Sequence, residues 1–215
     1  MPHTQHLQPG QFADESKVVR CFWCQASPAY QAYHDTEWGF PVKDERRLFE
    51  KICLEGFQAG LSWLTIFNKR ENFRAAFANF EAEQVTLFDG SDIKRLLLDA
   101  GIVRHAGKIA STINNAKRVL ELRREFGSLG AYVWQLEPDA ASRPQFITHE
   151  VLKTATTSAA SIALSKNLKK RGWTFVGPTT LYAFMQAMGL VNDHIEGCHS
   201  RSSALAARSV FTPSV

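Results

Sequence analysis

The stretch "LLLDAGIVRHAGKIASTI", residues 96–113, contains a helical pattern, a glycine-containing turn and the start of a second helical pattern. Gly101 stands where a residue without a Cβ commonly ends a helix. A longer amphipathic pattern begins between Arg104 and Gly107 and continues to Gly127. Helical periodicity covers most of the chain and alternating strand patterns are nearly absent, so the sequence predicts an all-α fold.

The start of the second helix in this stretch has the features of an anion-binding site. The N–H groups of a first helical turn carry a partial positive charge, to which Arg104 and Lys108 add full charges. The pattern matches a helix-hairpin-helix element, in which the backbone from Gly101 to Gly107 holds DNA phosphates without recognising base sequence. An ordinary corner between two helices, with glycines needed only for packing, explains the local pattern equally well.

Further helices are predicted on both sides, with one looser connecting segment at residues 138–158. Ser27 and Pro28 predict the start of the first helix, Asp44 the start of the second, and Ser91 caps the helix before Gly101. The predicted helices span residues 27–38, 44–57, 62–80, 91–101, 104–127, 128–136, 158–172 and 177–194.

Composition and charge restrict the classes of function. The 215-residue chain has a formal net charge of +4, which permits a nucleic-acid partner without requiring one. No stretch approaches the roughly 18 uncharged apolar residues of a membrane span, and residues 1–20 lack the apolar segment of a signal peptide. We therefore expect a cytoplasmic protein without a membrane partner. We also expect a disordered tail at residues 1–19, a single helical domain of two lobes at 20–198 and a C-terminal tail at 199–215.

The four cysteines favour metal binding over disulfides, because a cytosolic chain keeps its thiols reduced. His194 and Cys198 stand four residues apart and would share a face on a helical turn, while Cys21 precedes and His34 lies within the first helix. Two thiolates and two imidazoles form a closed tetrahedral set that is typical of structural zinc. Buried packing explains each residue alone, and the pair Cys21 and Cys24 leaves open that Cys24 replaces one ligand.

Aromatic residues surround one acidic residue in the first third of the chain. Glu55 lies between apolar neighbours, and the aromatic residues near it in sequence are Trp23, Tyr30, Tyr33, Trp38 and Trp63. This composition is consistent with an aromatic core in which Glu55 lies at a solvated helix end. It is also consistent with a stacking box for a planar, cationic base whose edge bonds a carboxylate.

The loop "QAGLSW", residues 58–63, places an apolar side chain beside this acidic segment. Gly60 permits a tight turn, and Leu61 can insert into a DNA duplex while a target base leaves the stack. Alternatively, Leu61 is a buried leucine next to a helix that Ser62 caps.

Several longer motifs, taken together, resemble the constitutive bacterial DNA-3-methyladenine glycosylases, type I. They are "RCFWC", "PAYQAYHDTEWGFPV", "LFEKICLEGFQAGLSW", "DAGIVRHAGKI", "SKNLKKRGWTFVGPTT" and "GLVNDHIEGC". The likeness extends from Arg20 to Cys198. It implies a helix-hairpin-helix DNA glycosylase fold in which one structural zinc ion joins the N- and C-terminal segments.

The resemblance also implies residue roles. It places the zinc ligands at Cys21, His34, His194 and Cys198, and leaves Cys24 as a non-ligand. It places base binding at Trp23, Tyr30, Tyr33, Glu55 and Trp63, with Glu55 and Tyr33 as the catalytic pair. The implied DNA contacts are Gly60, Leu61, Gly101, Arg104, Gly107, Lys108, Ser165 and Lys166.

The implied activity is excision of N3-methyladenine from alkylated double-stranded DNA by a monomer that flips the base and leaves an abasic site. The family lacks the catalytic aspartate of other helix-hairpin-helix glycosylases, and here Asp99 precedes the hairpin with no acid directly after it. A purine alkylated at N3 is already positively charged, so its bond to the sugar needs little acid–base help. Two other classes compete: a non-catalytic zinc-bound DNA-binding module and a zinc hydrolase.

Overall fold

The computed structural model describes residues 7–213 and is mostly helical. The helices are α1 (Pro28–Thr36), α2 (Glu45–Gln58), α3 (Trp63–Phe67), α4 (Arg70–Ala76), α5 (Ala82–Val85), α6 (Gly90–Leu98), α7 (Ala106–Phe126), α8 (Leu129–Trp134), α9 (His149–Thr154), α10 (Ala159–Lys170), α11 (Pro178–Ala187) and α12 (His199–Val210). Short 3₁₀ helices lie at Phe22–Ala26, Ala78–Phe80 and Ala140–Ser142. None of the helices in the described part of the chain is long and apolar enough to cross a membrane.

A β-hairpin lies within the segment that was expected to be a disordered tail. Strand β1 (Gln11–Ala13) pairs antiparallel with β2 (Val19–Cys21), and Phe12 is opposite Arg20. The Asp14 carboxylate closes the turn by accepting a hydrogen bond from the Val18 N–H at 2.9 Å. Residues 1–6 lie outside the described residues, but for residues 11–19 the expectation of disorder is wrong, because a paired hairpin forms there in which Phe12 and all of β2 are buried.

The C-terminal segment also has regular structure where a tail was expected. Helix α12 begins directly after Cys198, and its Ser200 and Ala204 are buried. It contacts α1 and β2. Alanine, leucine and arginine, which are strong helix formers, fill much of this segment. The predicted boundary at residue 198 therefore coincides with the start of a packed helix and not with a loss of structure.

Local capping explains most of the other helix boundaries. The Ser27 hydroxyl accepts from the Tyr30 N–H at 3.2 Å, and the Asp44 carboxylate accepts from the Arg47 N–H at 2.8 Å, as predicted. The prediction for α6 is wrong by two residues, since Asp89 caps it and Ser91 lies inside the helix. The single helix predicted over residues 62–80 is split into α3, α4 and a 3₁₀ turn.

The chain divides into two compact units, each built from non-consecutive segments. Unit 1 contains the chain up to Pro41 together with Pro138–Thr156 and Gln186–Phe211, and unit 2 contains mainly Val42–Glu137 and Thr157–Met185. Unit 2 has a core of interlocking phenylalanines, which are Phe49, Phe57, Phe73, Phe77 and Phe80.

Unit 1 contains a small apolar cluster in which two of the predicted metal ligands take part. Cys21, Ile147, Ile195 and Cys198 form this cluster, and Trp23 and Leu152 pack against it. Natural proteins commonly supplement the core of a small unit with a metal or disulfides. All four cysteines of the chain are free thiols.

Candidate functional site

Four predicted metal ligands meet in the interior of unit 1. The ligand atoms of Cys21, His34, His194 and Cys198 all lie within 4.8 Å of one another, and all four residues are buried. The Cys198 Sγ lies 3.5 Å from Nε2 of His34 and 3.6 Å from Nδ1 of His194. These residues therefore form a single cluster of two sulfur and two nitrogen donors.

Four separate elements position these side chains. Cys21 ends β2, His34 lies in α1, His194 lies in the loop after α11, and Cys198 is the residue before α12. The expectation that His194 and Cys198 share a helical turn is wrong. The loop turns at Gly197, which has a φ of 80°, and the Cys198 N–H donates to the carbonyl of Ile195 at 3.0 Å.

Hydrogen bonds on the outer side of each imidazole orient the two rings. The Nδ1 of His34 lies 2.7 Å from the Asp35 carboxylate, and the Nε2 of His194 lies 2.9 Å from the Trp38 carbonyl oxygen. Because both partners only accept hydrogen bonds, each ring carries its proton on the outer nitrogen. The inner nitrogens, 3.1 Å apart, then present two lone pairs to each other. That arrangement is repulsive on its own and suits coordination of a cation between them.

Asp35 is a functional residue that the sequence analysis missed. Its carboxylate accepts from His34, from the Arg20 Nε at 2.8 Å and from the Ser200 hydroxyl at 3.1 Å. Burial raises the pKa of Asp35, but the hydrogen bonds from His34 and Arg20 outweigh this and lower it overall. The signal in the sequence is an acid adjacent to a histidine ligand, since metal-binding histidines usually bond a carboxylate or carbonyl on the other nitrogen.

The two cysteines at the start of the chain differ in their surroundings. Cys24 is buried, its thiol donates to the Cys21 carbonyl at 3.1 Å, and burial raises its pKa to about 12. It does not belong to the cluster. The pKa of Cys198 is lowered, chiefly by a hydrogen bond from the Cys21 thiol, and the same contact raises the pKa of Cys21. The geometry therefore favours Cys21 and Cys198, and not Cys24, as the thiolate donors.

The aromatic residues predicted to bind a base divide between the units, and three of them lie in unit 1. Trp23 contacts Tyr30 edge-to-face at 5.0 Å between ring centroids, and Tyr30 and Tyr33 are nearly parallel at 6.2 Å. Trp23 also lies 5.2 Å from His34 and 5.1 Å from Trp38. These rings thus pack against the metal cluster, and a contribution to its packing is part of their role.

The other two predicted base-binding residues, Glu55 and Trp63, lie in unit 2. Glu55 is inside α2 and only 5% exposed, so the alternative of a solvated helix end is excluded. Trp63 begins α3, where the Ser62 hydroxyl accepts from the Thr65 N–H at 3.2 Å. A third group joins them: the Lys51 ammonium lies 2.7 Å from the Glu55 carboxylate and 3.1 Å from the centroid of the Trp63 ring.

Burial and pairing act in opposite directions on this lysine and glutamate. Burial lowers the pKa of Lys51 and raises the pKa of Glu55, and the attraction between the two partly offsets both effects. The sequence analysis missed Lys51, although a lysine and a glutamate four residues apart on a helix indicate an ion pair. Its burial could not be inferred from that spacing.

The loop between α2 and α3 presents Leu61 to solvent. Leu61 is 43% exposed, so the alternative of a buried leucine is wrong. Gly60 adopts a φ of 84°, and a Cβ built on it would meet nothing within 4 Å. Glycine is thus needed here for its backbone conformation and not for space. The loop has the exposed apolar tip that insertion into a duplex requires.

The turn between α6 and α7 is held from within unit 2. The Gly101 N–H donates to Asp99 at 2.7 Å, and the Lys69 ammonium donates to the Ala100 carbonyl at 2.9 Å. His105 caps α7 by accepting from the Lys108 N–H at 3.2 Å. Arg104 is exposed, as a phosphate contact requires.

Two predicted DNA contacts are contradicted by burial. The Lys108 ammonium donates to the carbonyls of Phe57 at 2.9 Å and Ala59 at 2.6 Å, so it binds the last carbonyls of α2 instead of facing solvent. The buried Ser165 hydroxyl donates to the Val176 carbonyl at 2.7 Å. In both cases the helical periodicity predicted the helix correctly, but the side chain faces the interior. Lys166 is exposed.

Comparisons with known proteins give consistent results across the length of the chain. Residues 23–201 match the family model of the methyladenine glycosylases. DNA-3-methyladenine glycosylase 1 of Escherichia coli is 49% identical, covering 84% of this chain and 96% of that protein. DNA-3-methyladenine glycosylase of Haemophilus influenzae is 40% identical, covering 86% of this chain and all 100% of the relative.

Solved structures agree. The 3-methyladenine DNA glycosylase I of Staphylococcus aureus, determined to explain its recognition of 3-methyladenine, superposes with a TM-score of 0.78 at 35% identity, covering 85% of this chain and 96% of that one. In each comparison, the similarity covers most of this chain and most of the related protein. The chain therefore belongs to the methyladenine glycosylase family and is a glycosylase, an enzyme of the hydrolase class.

Proposed function

We propose that this glycosylase repairs alkylated double-stranded DNA by hydrolysing the N-glycosidic bond of N3-methyladenine, releasing the base and leaving an abasic site. The family and the relatives named for 3-methyladenine support this activity. The observation in this chain that carries the proposal is Glu55, a buried carboxylate on α2 that shares its surroundings with the Trp63 ring. A carboxylate accepts hydrogen bonds from a base edge, and an indole face attracts a planar cation.

Little acid–base catalysis is needed for this reaction. The positively charged purine leaves with the electron pair of its bond to C1′, the sugar passes through an oxocarbenium-like state, and water adds to C1′ and loses a proton to solvent. Glu55 acts by hydrogen bonding the base and Trp63 provides a ring face for stacking; the motif resemblance assigns hydrogen bonding also to Tyr33 and stacking also to Trp23 and Tyr30. No amine attacks C1′, so no Schiff base forms and the enzyme is monofunctional.

Access to the base requires that it leaves the duplex. We assign α6, the turn and the start of α7 to a helix-hairpin-helix element that holds phosphate at Arg104 and Gly107, and Gly101 is withdrawn as a direct contact because its N–H donates to Asp99. Leu61, on its Gly60 turn, fills the space that the flipped base vacates. Lys166 supplies an exposed positive charge for the backbone. The buried Lys108 and Ser165 donate to backbone carbonyls within unit 2 and are withdrawn as direct contacts.

One zinc ion held by Cys21, His34, His194 and Cys198 has a structural role in this proposal. The donor set fits zinc because it combines two thiolates with two imidazoles whose inner nitrogens are unprotonated. When bound, zinc supplies a cross-link between β2, α1 and the start of α12. Four protein donors would leave no open position on the ion for water, so excision would not take place at this site.

The rival classes fit less well. Membership of a glycosylase family contradicts the non-catalytic DNA-binding module. A zinc hydrolase needs an open coordination position, which a closed four-donor set does not provide. We propose that the enzyme acts as a monomer in the cytoplasm, where its DNA substrate lies.

The direct test is to incubate the protein with methylated duplex DNA and to identify the released bases by chromatography. We expect free 3-methyladenine, an abasic product strand and no covalent complex after borohydride treatment. Glu55→Gln should lose most of the release. Glu50→Gln is the matched control, because Glu50 is another buried acid of α2 but pairs with Arg74 at 2.8 Å. Equal release by both variants would overturn the role of Glu55.

A further inference from the structure

We propose that Lys51 is a built-in competitor of the substrate base: its ammonium occupies, in the free enzyme, the position at Glu55 and Trp63 that a cationic purine takes on binding. The inference rests on the proposed function in one respect, namely that Glu55 and Trp63 bind the base. It adds a residue that sets how tightly the base is held.

The contacts of Lys51 are those that a cationic purine would use. Its Nζ lies 2.7 Å from the Glu55 carboxylate and 3.1 Å from the centroid of the Trp63 ring. An ion pair to a carboxylate and a cation over an indole face are the two attractions available to a positively charged ring at this place. The side chains of Lys51 and Glu55 are only 7% and 4% exposed, so water screens these contacts weakly.

Two positive charges cannot share this position. Like charges repel more strongly in a buried site than in water, and one indole face accommodates one cation at contact distance. A cationic purine therefore binds only when the Lys51 ammonium withdraws. Four rotatable bonds in the lysine side chain permit this without movement of α2.

Competition of this kind lowers the affinity for the base and speeds its release. The purine gains its contacts to Glu55 and Trp63, but the protein loses the same contacts to Lys51, so only the difference contributes to binding. After bond cleavage the purine is neutral, because it keeps the electron pair of the broken bond, so the Lys51 ammonium can return to Glu55 and the base leaves before the next turnover.

The test uses two small probes and the whole chain. One probe, 3,9-dimethyladeninium, carries a fixed positive charge and a methyl group in place of the sugar, and the other, 9-methyladenine, is its neutral counterpart. Binding is measured by calorimetry and by tryptophan fluorescence. We expect Lys51→Met and Lys51→Gln to bind the charged probe at least tenfold more tightly than the wild type. Lys117→Met is the control, since it removes one exposed lysine of the same unit.

The double variant Lys51→Met with Glu55→Gln completes a double-mutant cycle. It should lose the tighter binding of the charged probe that Lys51→Met shows alone. Thermal unfolding identifies any variant that fails to fold, and Lys51→Gln, which keeps a polar head, is the variant expected to fold best. Equal or weaker binding by both Lys51 variants, with the wild type binding the charged probe, would overturn the competitor role. Failure of the wild type to bind either probe and to release base would instead overturn the proposed function.

Discussion

Asp35→Asn is the substitution that most directly tests how the metal cluster is held. The change preserves the size of the side chain but removes its charge, and it places an amide group beside the hydrogen-bond donors of His34 and Arg20. Asp35 accepts from the His34 Nδ1 at 2.7 Å and from the Arg20 Nε at 2.8 Å. An asparagine oxygen can still accept from His34, but the amide nitrogen then faces the Arg20 guanidinium, and both groups are donors. We therefore expect the imidazole to lose its fixed orientation.

The size of the effect follows from the role of such outer contacts. Loss of the hydrogen-bond partner on the outer nitrogen of a metal-binding histidine typically weakens metal binding about 10–100-fold, which is roughly 1.4–2.7 kcal/mol. At a fixed concentration of free zinc, the free energy of unfolding decreases by the same amount. For a chain of this length each 1 kcal/mol shifts the thermal midpoint by about 2–4 °C, so we expect a decrease of roughly 3–11 °C.

The assay is competition for zinc against a chromogenic chelator, combined with thermal unfolding in zinc and in excess chelator. Asp14→Asn is the matched control, because Asp14 is the other partner of Arg20 at 2.6 Å and lies outside the contacts to His34. It should leave zinc affinity unchanged. Wild-type zinc affinity in Asp35→Asn, or an equal loss of thermal stability with and without zinc, would refute the reasoning.

Four further predictions concern the metal ligands, the loop tip and two residues of the hairpin. Cys21→Ala should lose stoichiometric zinc while Cys24→Ala retains it, as measured by metal analysis of the purified proteins; retention by both would exclude Cys21 as a ligand. Leu61→Gly should slow excision from duplex DNA more than from single strands, because a wedge acts only where a stack must be opened, and equal losses on both substrates would remove that role. Arg104→Ala should weaken DNA binding and reduce the salt slope by about 1. Lys108→Met should instead cost about 1–3 kcal/mol of stability, because it leaves two buried carbonyls unsatisfied, and should leave the salt slope unchanged.

Local signals in the sequence predicted α1, α2, α6, α7, α8, α10 and α11, but not α5, α9 or α12. Ser27 and Asp44 cap the helices that they were predicted to cap, because a capping bond spans only two or three residues. Side-chain chemistry indicated a metal site of thiols and imidazoles, but it left Cys24 open as an alternative to Cys21, and the family resemblance made that choice. The same reasoning failed for the short β-hairpin, since three-residue strands show too little alternation to reveal a pattern.

The sequence by itself therefore determined which residues can coordinate a metal, where most helices begin and end, and which family the motifs resemble. Only the tertiary structure decided which side chains face each other. His34 and His194 lie 160 positions apart in sequence, yet their inner nitrogens are 3.1 Å apart. Lys108 and Lys51 are charged residues at helical spacing, and nothing local distinguishes them from solvated lysines. Their burial depends on elements packed against them from distant parts of the chain, and residue type and spacing do not encode those contacts.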